Sequence, residues 1–226
     1  PIAGSSVSGI IDCNSTTTTV TGTGGGTYSW VATGGRNITS GAGSATATVD
    51  AAGTYTVTVT GANGCTDTDI AVVTDDLTSP IASADSVGVI DCNNATINLS
   101  GAGGGTYSWV ATGGGNILTG AGTATPTVDA AGTYTVTVTG SNGCTDTDAT
   151  TVTTDLIPPT ADAGADGAID CTVSAADLTA TGGGTYSWVA SSGGNITTGA
   201  NSATMTGNAA GTYTVTVTGA NGCTDT

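Results

Sequence analysis

Three features of these 226 residues predict an all-β chain of tandem antiparallel sandwiches: a fixed long period, alternating strands that recur with it, and one Trp per period. Cys13, Cys92 and Cys171 are spaced 79 apart, as are Trp30, Trp109 and Trp188 and the prolines Pro1, Pro80 and Pro159. The sixteen letters "GTYTVTVTGANGCTDT" at 53–68 return at 132–147 with one change and at 211–226 with none. A unit of 79 residues is long for a solenoid repeat and suits a small autonomous domain. The expected units are therefore 1–79, 80–158 and 159–226, strung like beads and separated at "TDDLTSP" and "TTDLIPP", where Pro ends a strand and stiffens the connection. On the same period the third unit should continue to roughly residue 237, so it is expected to lack its last strand and to belong to a longer chain whose targeting signals lie elsewhere.

The middle unit sets out the elements in order. Strand A is expected near 85–91, B at 95–101, C at 106–112, a short strand at 116–118, E at 124–128, F at 133–140 and G at 144–153. Each is a short stretch bounded by Gly-rich turns such as "GAGGG", "GAGTA" and "GSNG". The F-type segment shows the pattern best. In "TYTVTVT", Tyr55, Val57 and Val59 fall on one face and Thr54, Thr56 and Thr58 on the other, as in a half-buried antiparallel strand, and no helical period competes. About seven short strands with a Trp on the third predict an immunoglobulin-like sandwich. The expected core anchors are Trp30, Trp109 and Trp188 with Tyr55, Tyr134 and Tyr213. Tyr107 shares the Trp109 face, and Tyr134, after "DAAG", is placed to form a tyrosine corner.

"GTYTVTVTGANGC", "YSWVATGG" and the order Cys, Trp, Tyr, Asn-Gly-Cys resemble the immunoglobulin-like and PKD-like repeats of very large secreted surface proteins and gliding-type adhesins of Bacteroidota. The resemblance covers all three units and implies an extracellular, cell-surface array that builds an adhesive or structural filament, with no catalytic residues to carry over. The chain departs from PKD domains in lacking a "DFGDG" stretch after Trp30.

Composition narrows the function classes. Lys+Arg number 1 against 17 acidic residues, all Asp, for a net charge of -16. Nucleic acid phosphates and anionic lipid heads are excluded as partners, since both need Lys or Arg to displace counterions. No apolar run is long enough to insert in a membrane as a helix. With no His, Lys or Glu, general base and Schiff-base chemistry lack their usual groups, so the chain is read as no enzyme and as needing no cofactor. Gly-rich "TGTGGGT" fails as a phosphate loop because no Lys follows it. The expected partners are other copies or further repeats of the same protein in a filament. The alternative is an array of carbohydrate- or surface-binding modules, using loops such as "VATGGRNITSGAG".

Six cysteines in three equal pairs point to disulfides in an oxidising compartment. Within a unit the pairs would be Cys13 with Cys65, Cys92 with Cys144 and Cys171 with Cys223. That pairing is awkward, because Cys92 closes strand A at one pole and Cys144 follows the F–G turn at the other. Seven strand residues separate the poles by roughly 23 Å, whereas a disulfide needs Cα atoms within about 7 Å. Pairing between units, Cys13 with Cys144 and Cys92 with Cys223, is preferred, leaving Cys65 and Cys171 for neighbouring repeats. Both schemes, and with them free thiols or links between chains, remain open at the level of sequence.

Weaker candidates complete the reading. Asp67, Asp69, Asp75 and Asp76 could supply calcium ligands, although their spacing matches no named loop and a solvated acidic surface is favoured. Sequons at Asn14, Asn37, Asn94, Asn98 and Asn195, and the Asp-Ser-apolar triplet at Ser86, are candidate glycosylation positions.

Overall fold

The computed structural model describes residues 1–34 and 36–226. Gly35, inside the "VATGGRNITSGAG" loop, lies outside them. The described residues form strands and turns with no helix. By their packing they divide into two compact units, one of residues 1–83, 101–108 and 136–148, the other of 84–100, 109–135 and 149–226. The unit limits do not coincide with the 79-residue period: the first repeat falls in one unit, the third in the other, and the middle repeat contributes to both. The reason lies at the junctions described below, where the middle repeat's F–G turn is bonded to the first repeat.

The first repeat builds two sheets. Strands β1 (Gly4–Val7), β3 (Thr18–Thr23), β6 (Thr46–Val49) and β5 (Ile38–Ser40) form one, and β4 (Thr27–Ala32), β7 (Gly53–Thr60) and β8 (Thr66–Val73) the other. A small parallel pair, β2 (Ile11–Asp12) with β9 (Asp75–Asp76), closes one end. Strand A is thus broken rather than continuous: β1 pairs antiparallel with β3, and the chain then crosses to pair β2 beside β9. The crossing passes through Gly9 here and Gly88 in the middle repeat, where φ is +114° and a side chain would be strained.

Alternation explains the burial. Along β7 the residues Tyr55, Val57 and Val59 turn inward and the threonines between them are half-exposed. They pack with Trp30, Ala71 and Val73 of their own sheet against Val20, Ala47 and Val49 of the other, with Ile11 at the end. Tyr55 is buried and its hydroxyl donates to the Ala51 carbonyl at 2.6 Å. Burial first, then the Asp50 charge, pushes that phenol above its ordinary range. The same corner recurs in Tyr134 to Ala130 at 2.6 Å and Tyr213 to Ala209 at 2.5 Å. The Trp indoles donate in turn to the carbonyls of Ser44, Thr123 and Ser202.

The strand order recurs whole in the middle repeat; in the third, the edge strand corresponding to β1 is reduced to an Asp162–Thr181 bridge and no counterpart of the β2–β9 pair is formed among the described residues. Strand E spans Thr127–Val128 in the middle repeat and not the expected 124–128, because Pro126 occupies the place of Ala47 and has no N–H for the ladder; its carbonyl still accepts from Leu99. In the third repeat, Thr204–Ala209 pairs with Ala176–Thr179, and Thr185–Ser191 pairs with Thr212–Thr218. At its end Thr224 and Asp225 form a two-residue strand paired with Thr218 and Val217. An open groove of about 450 Å³ lies beside Leu178, Met205 and Tyr213. In the first repeat Ala71 and Val73 cover the corresponding core, and Tyr213 is accordingly half-buried where Tyr55 and Tyr134 are fully buried.

Two predictions follow from these contacts. Tyr134→Phe leaves the Ala130 carbonyl and the Asn116 N–H, 2.9 Å from the hydroxyl, without their partner, and should cost about 1–3 kcal/mol in urea unfolding, with Tyr213→Phe costing less because water reaches its site. Asp69, on β8, is held below the ordinary carboxylate range by the Ile70 N–H and then by the Ser5 hydroxyl of β1. Its folded-state value is depressed, so its contribution is present above the usual Asp range near pH 4 and is lost as pH falls through that range and below. Melting followed from about pH 5 to about pH 2 should show a decline that Asp69→Asn makes shallower.

Candidate functional site

Two disulfides dominate the chemistry of the chain. Cys13 is bonded to Cys144 and Cys92 to Cys223, each with Cα atoms 5.0 Å apart and each with a sequence separation of 131 residues. Both therefore bridge a residue of one period to a residue of the next. The intra-repeat pairs are not formed, and Cys65 and Cys171 are free and exposed.

One half of each bridge is a loop organised by an aspartate. Asp12 accepts from the backbone N–H groups of Asn14 and Ser15 at 2.9 and 2.7 Å, and this turn holds Cys13 outward. Asp91 does the same for Cys92 through Asn93 and Asn94. The parallel pair β2–β9 sets this loop beside the connection that leaves the repeat, with Ile11 opposite Asp75 and Asp12 opposite Asp76. The geometry recurs with Ile90 opposite Thr154 and Asp91 opposite Asp155.

The other half is the Asn-Gly-Cys turn. Gly140 and Cys144 close it at 2.9 Å, and Asn142 accepts the Cys144 N–H through its Oδ1 at 3.1 Å. The Asn142 Nδ2 reaches the connection and donates to the carbonyls of Asp76 and Thr78 at 3.1 and 2.9 Å. This amide is 8% exposed and Cys144 2% exposed, so the clamp works largely out of water, where an unpaired group would be costly. Asn221 repeats it on Asp155 and Ile157, with Cys92 N–H donating to the Asn221 carbonyl at 3.0 Å. Gly143, at φ +78°, lies against the Asn14 side chain, and Gly222, at φ +76°, against Asn93; a Cβ at either would collide with that asparagine. Glycine is required there by both backbone angle and neighbour.

The remaining sequence candidates fall as follows. Trp30, Trp109 and Trp188 are buried. Asp67 accepts the Ala3 N–H at 2.8 Å, and its counterparts Asp146 and Asp225 accept from Ala82 and Ala161, so this aspartate straps the start of strand A to strand G. Asp75 and Asp76 lie in β9, and among the described residues no three metal-ligating side chains converge. Asn37 and Asn94 are exposed, the Asn195 Nδ2 donates to Asn208, and the Ser86 hydroxyl donates to the Thr151 carbonyl. Sequence reasoning missed the roles of Asp12, Asp91, Asn142 and Asn221. Their signal was present, since Asp precedes and Asn lies two before the respective Cys in every period.

Two-sheet repeats with a buried Trp, a tyrosine corner and no helix among the described residues make this a chain of immunoglobulin-like β-sandwiches. It belongs to the PKD-like domain family, which matches residues 5–74 and 173–226, more than half of its length. Residues 79–158 match the family described as Ig-like domain, CHU_C associated. Both are domain types typical of Bacteroidota surface proteins and typically non-catalytic, and with two disulfides they make this a module of an extracellular or cell-surface protein. No curated protein matches the chain. Among solved structures it is similar to murine CEACAM1b (10% identity, TM-score 0.28, covering 68% of this chain and 100% of that one). It is also similar to protocadherin gammaB7 EC3-6 (9%, 0.30, 92% and 66%) and to SGBP-B of the Bacteroides ovatus mixed-linkage glucan utilization locus, in complex with a heptasaccharide (15%, 0.21, 92% and 58%). At such scores these likenesses bear on neither fold nor function.

Asn142→Asp tests the clamp. It keeps the acceptor for Cys144 N–H and turns a carboxylate oxygen toward the Asp76 and Thr78 carbonyls, and should lower stability by about 2–4 kcal/mol at neutral pH, with partial recovery on acidification as the new carboxyl protonates. Chemical unfolding at pH 7 and at about pH 4 reads both effects.

Proposed function

We propose that the chain is a structural repeat segment of an extracellular filament or adhesin stalk, with consecutive repeats 1–79, 80–158 and 159–226 stiffened by disulfides between them. The observation that carries this reading is the register of the two bridges: each joins the Cys of one repeat's Asp-Cys loop to the Cys of the next repeat's Asn-Gly-Cys turn, 131 residues away. A connection alone leaves two folded domains free to bend about it, the default for short linkers with little interface. A covalent bridge beside the connection, backed by an amide bonded to two of the connection's carbonyls, removes most of that freedom. Near-identity of the repeats favours a load-bearing role over recognition, because specific binding draws on exposed aromatic and charged side chains, and here the loops carry mostly Gly, Thr and Ala.

Electron microscopy of the native material with and without reductant tests the proposal. The expected outcome is a continuous fibre with an axial repeat near one domain length that becomes flexible when reduced. Separate flexible beads, unaffected by reductant, overturn it.

A further inference from the structure

The asparagine that clamps each bridged junction is followed by glycine, at Asn142-Gly143 and at Asn221-Gly222. A side-chain amide in that position is open to attack by the next backbone nitrogen, because glycine has no Cβ to shield it and reaches conformations closed to other residues. We propose that these two asparagines are modification sites guarded by the neighbouring disulfides. While a bridge is closed its asparagine stays an amide; once a thiol reductant opens the bridge, the asparagine deamidates and the clamp is lost irreversibly. The inference goes beyond the stalk reading and does not need it, since it concerns the junctions alone.

The guard has two parts. One belongs to the turn itself: the attacking nitrogen would be that of Gly143, whose N–H donates to the Gly140 carbonyl at 3.0 Å, and Gly222 donates to Gly219 at the same distance. Gly64 donates likewise to Gly61 at 2.9 Å, so this part restrains all three turns alike. The other part exists only at the bridged junctions. The nitrogen that must leave Asn142 is Nδ2, which donates to the carbonyls of Asp76 and Thr78 in a site almost out of water. The Asn221 Nδ2 is held by the Asp155 carbonyl and carboxylate at 3.2 and 3.0 Å and by the Ile157 carbonyl at 2.9 Å. Each disulfide also fixes a cover over the glycine. Asn14, which follows Cys13, lies against Gly143, and Asn93, which follows Cys92, lies against Gly222. Asn63 sits on the same kind of turn and is exposed, so it reports the rate of a turn without this second part.

The chemistry balances with a thiol reductant and water as the co-reactants. Two reductant thiols are oxidised to one disulfide as Cys13 and Cys144 become thiols. The Gly143 nitrogen loses its proton and bonds to the Asn142 Cγ, the Cγ–Nδ2 bond breaks, and Nδ2 leaves with that proton as ammonia, giving a cyclic imide. Water then opens the imide at one of its two carbonyls. The product is aspartate, or its isomer with the backbone routed through the side-chain carboxyl carbon. Either product puts an acceptor where the Asp76 and Thr78 carbonyls had a donor and adds a negative charge to a chain already at -16.

The test follows the three asparagines of the 226-residue chain side by side in mildly alkaline buffer, with and without a dithiol reductant. Cleavage at aspartate places Asn63, Asn142 and Asn221 in different peptides, and mass spectrometry reads each amide-to-acid conversion. In the oxidised chain Asn142 and Asn221 should convert roughly tenfold or more slowly than Asn63, which is what two amide hydrogen bonds correspond to in rate. Reduction should bring both close to the Asn63 rate. Cys13→Ser should release Asn142 and leave Asn221 slow, which separates the opening of one junction from unfolding of the chain. Chain reoxidised after brief reduction should regain the Cys13–Cys144 bridge, and chain reoxidised after Asn142 has converted should regain it in several-fold lower yield. Equal rates at Asn63 and Asn142 in the oxidised chain, no acceleration of Asn142 on reduction, acceleration of Asn221 together with Asn142 in Cys13→Ser, or full recovery of the bridge after conversion overturns the proposal. Each of those results leaves the stalk reading standing, since that depends on the stiffness of the bridged chain.

Discussion

In each repeat one tryptophan and one tyrosine are tied by their polar tips to backbone carbonyls, and this pair of anchors sets what the rest of the molecule must supply. Aromatic residues make up only 4% of the chain and Phe is absent, so the remaining core is mostly Val, Ala and Ile, with Leu99 and Met205, packed from two thin sheets. Apolar burial of that size leaves a small domain only marginally ahead of its conformational entropy. Opposite-charge pairs cannot make up the difference, because the chain has a single basic residue. Backbone ladders, side chain to backbone hydrogen bonds and covalent bridges are what remains, and the structure uses all three.

Aspartate takes the part that ion pairs play elsewhere. Asp67, Asp146 and Asp225 hold the start of strand A to strand G, Asp69 joins with Ser5 beside it, and Asp12, Asp91 and Asp170 shape the loops that carry cysteine. Each uses a carboxylate to accept backbone N–H groups, an interaction that needs no cation and works on a surface of net charge -16. The acids thus act as local pins, and three of the calcium candidates, Asp67, Asp69 and Asp76, already accept hydrogen bonds.

At the junctions a loop, a turn and a connection meet, and the unbonded copies at Cys171 and Cys65 show that loop and turn hold their form without the disulfide. The free copy of the turn at Cys65 has the same closure and the same Oδ1 contact as the bonded copies. Such preorganisation lowers the entropy lost on joining, which is where rigid complementary surfaces gain their affinity. The bridge then adds little to the shape and much to the permanence of the contact.

The period, the alternation and the Trp-to-Tyr spacing were legible in the linear chain because they express local rules: a β-strand turns its side chains by two, and Gly-rich segments end it. By itself the sequence determined the all-β class, the repeat unit, the turn at Asn-Gly and the existence of cysteines in two sets spaced for bridging. It left open which cysteines meet, and it did not disclose the break in strand A, the shortening of strand E at Pro126, or the second task of Asn142 and Asn221. Those depend on which backbone carbonyls and neighbouring loops arrive at a given side chain from residues scores of positions away, and only the tertiary structure decides that, because hydrogen bonds and disulfides act across space at fixed distances and take no account of sequence separation.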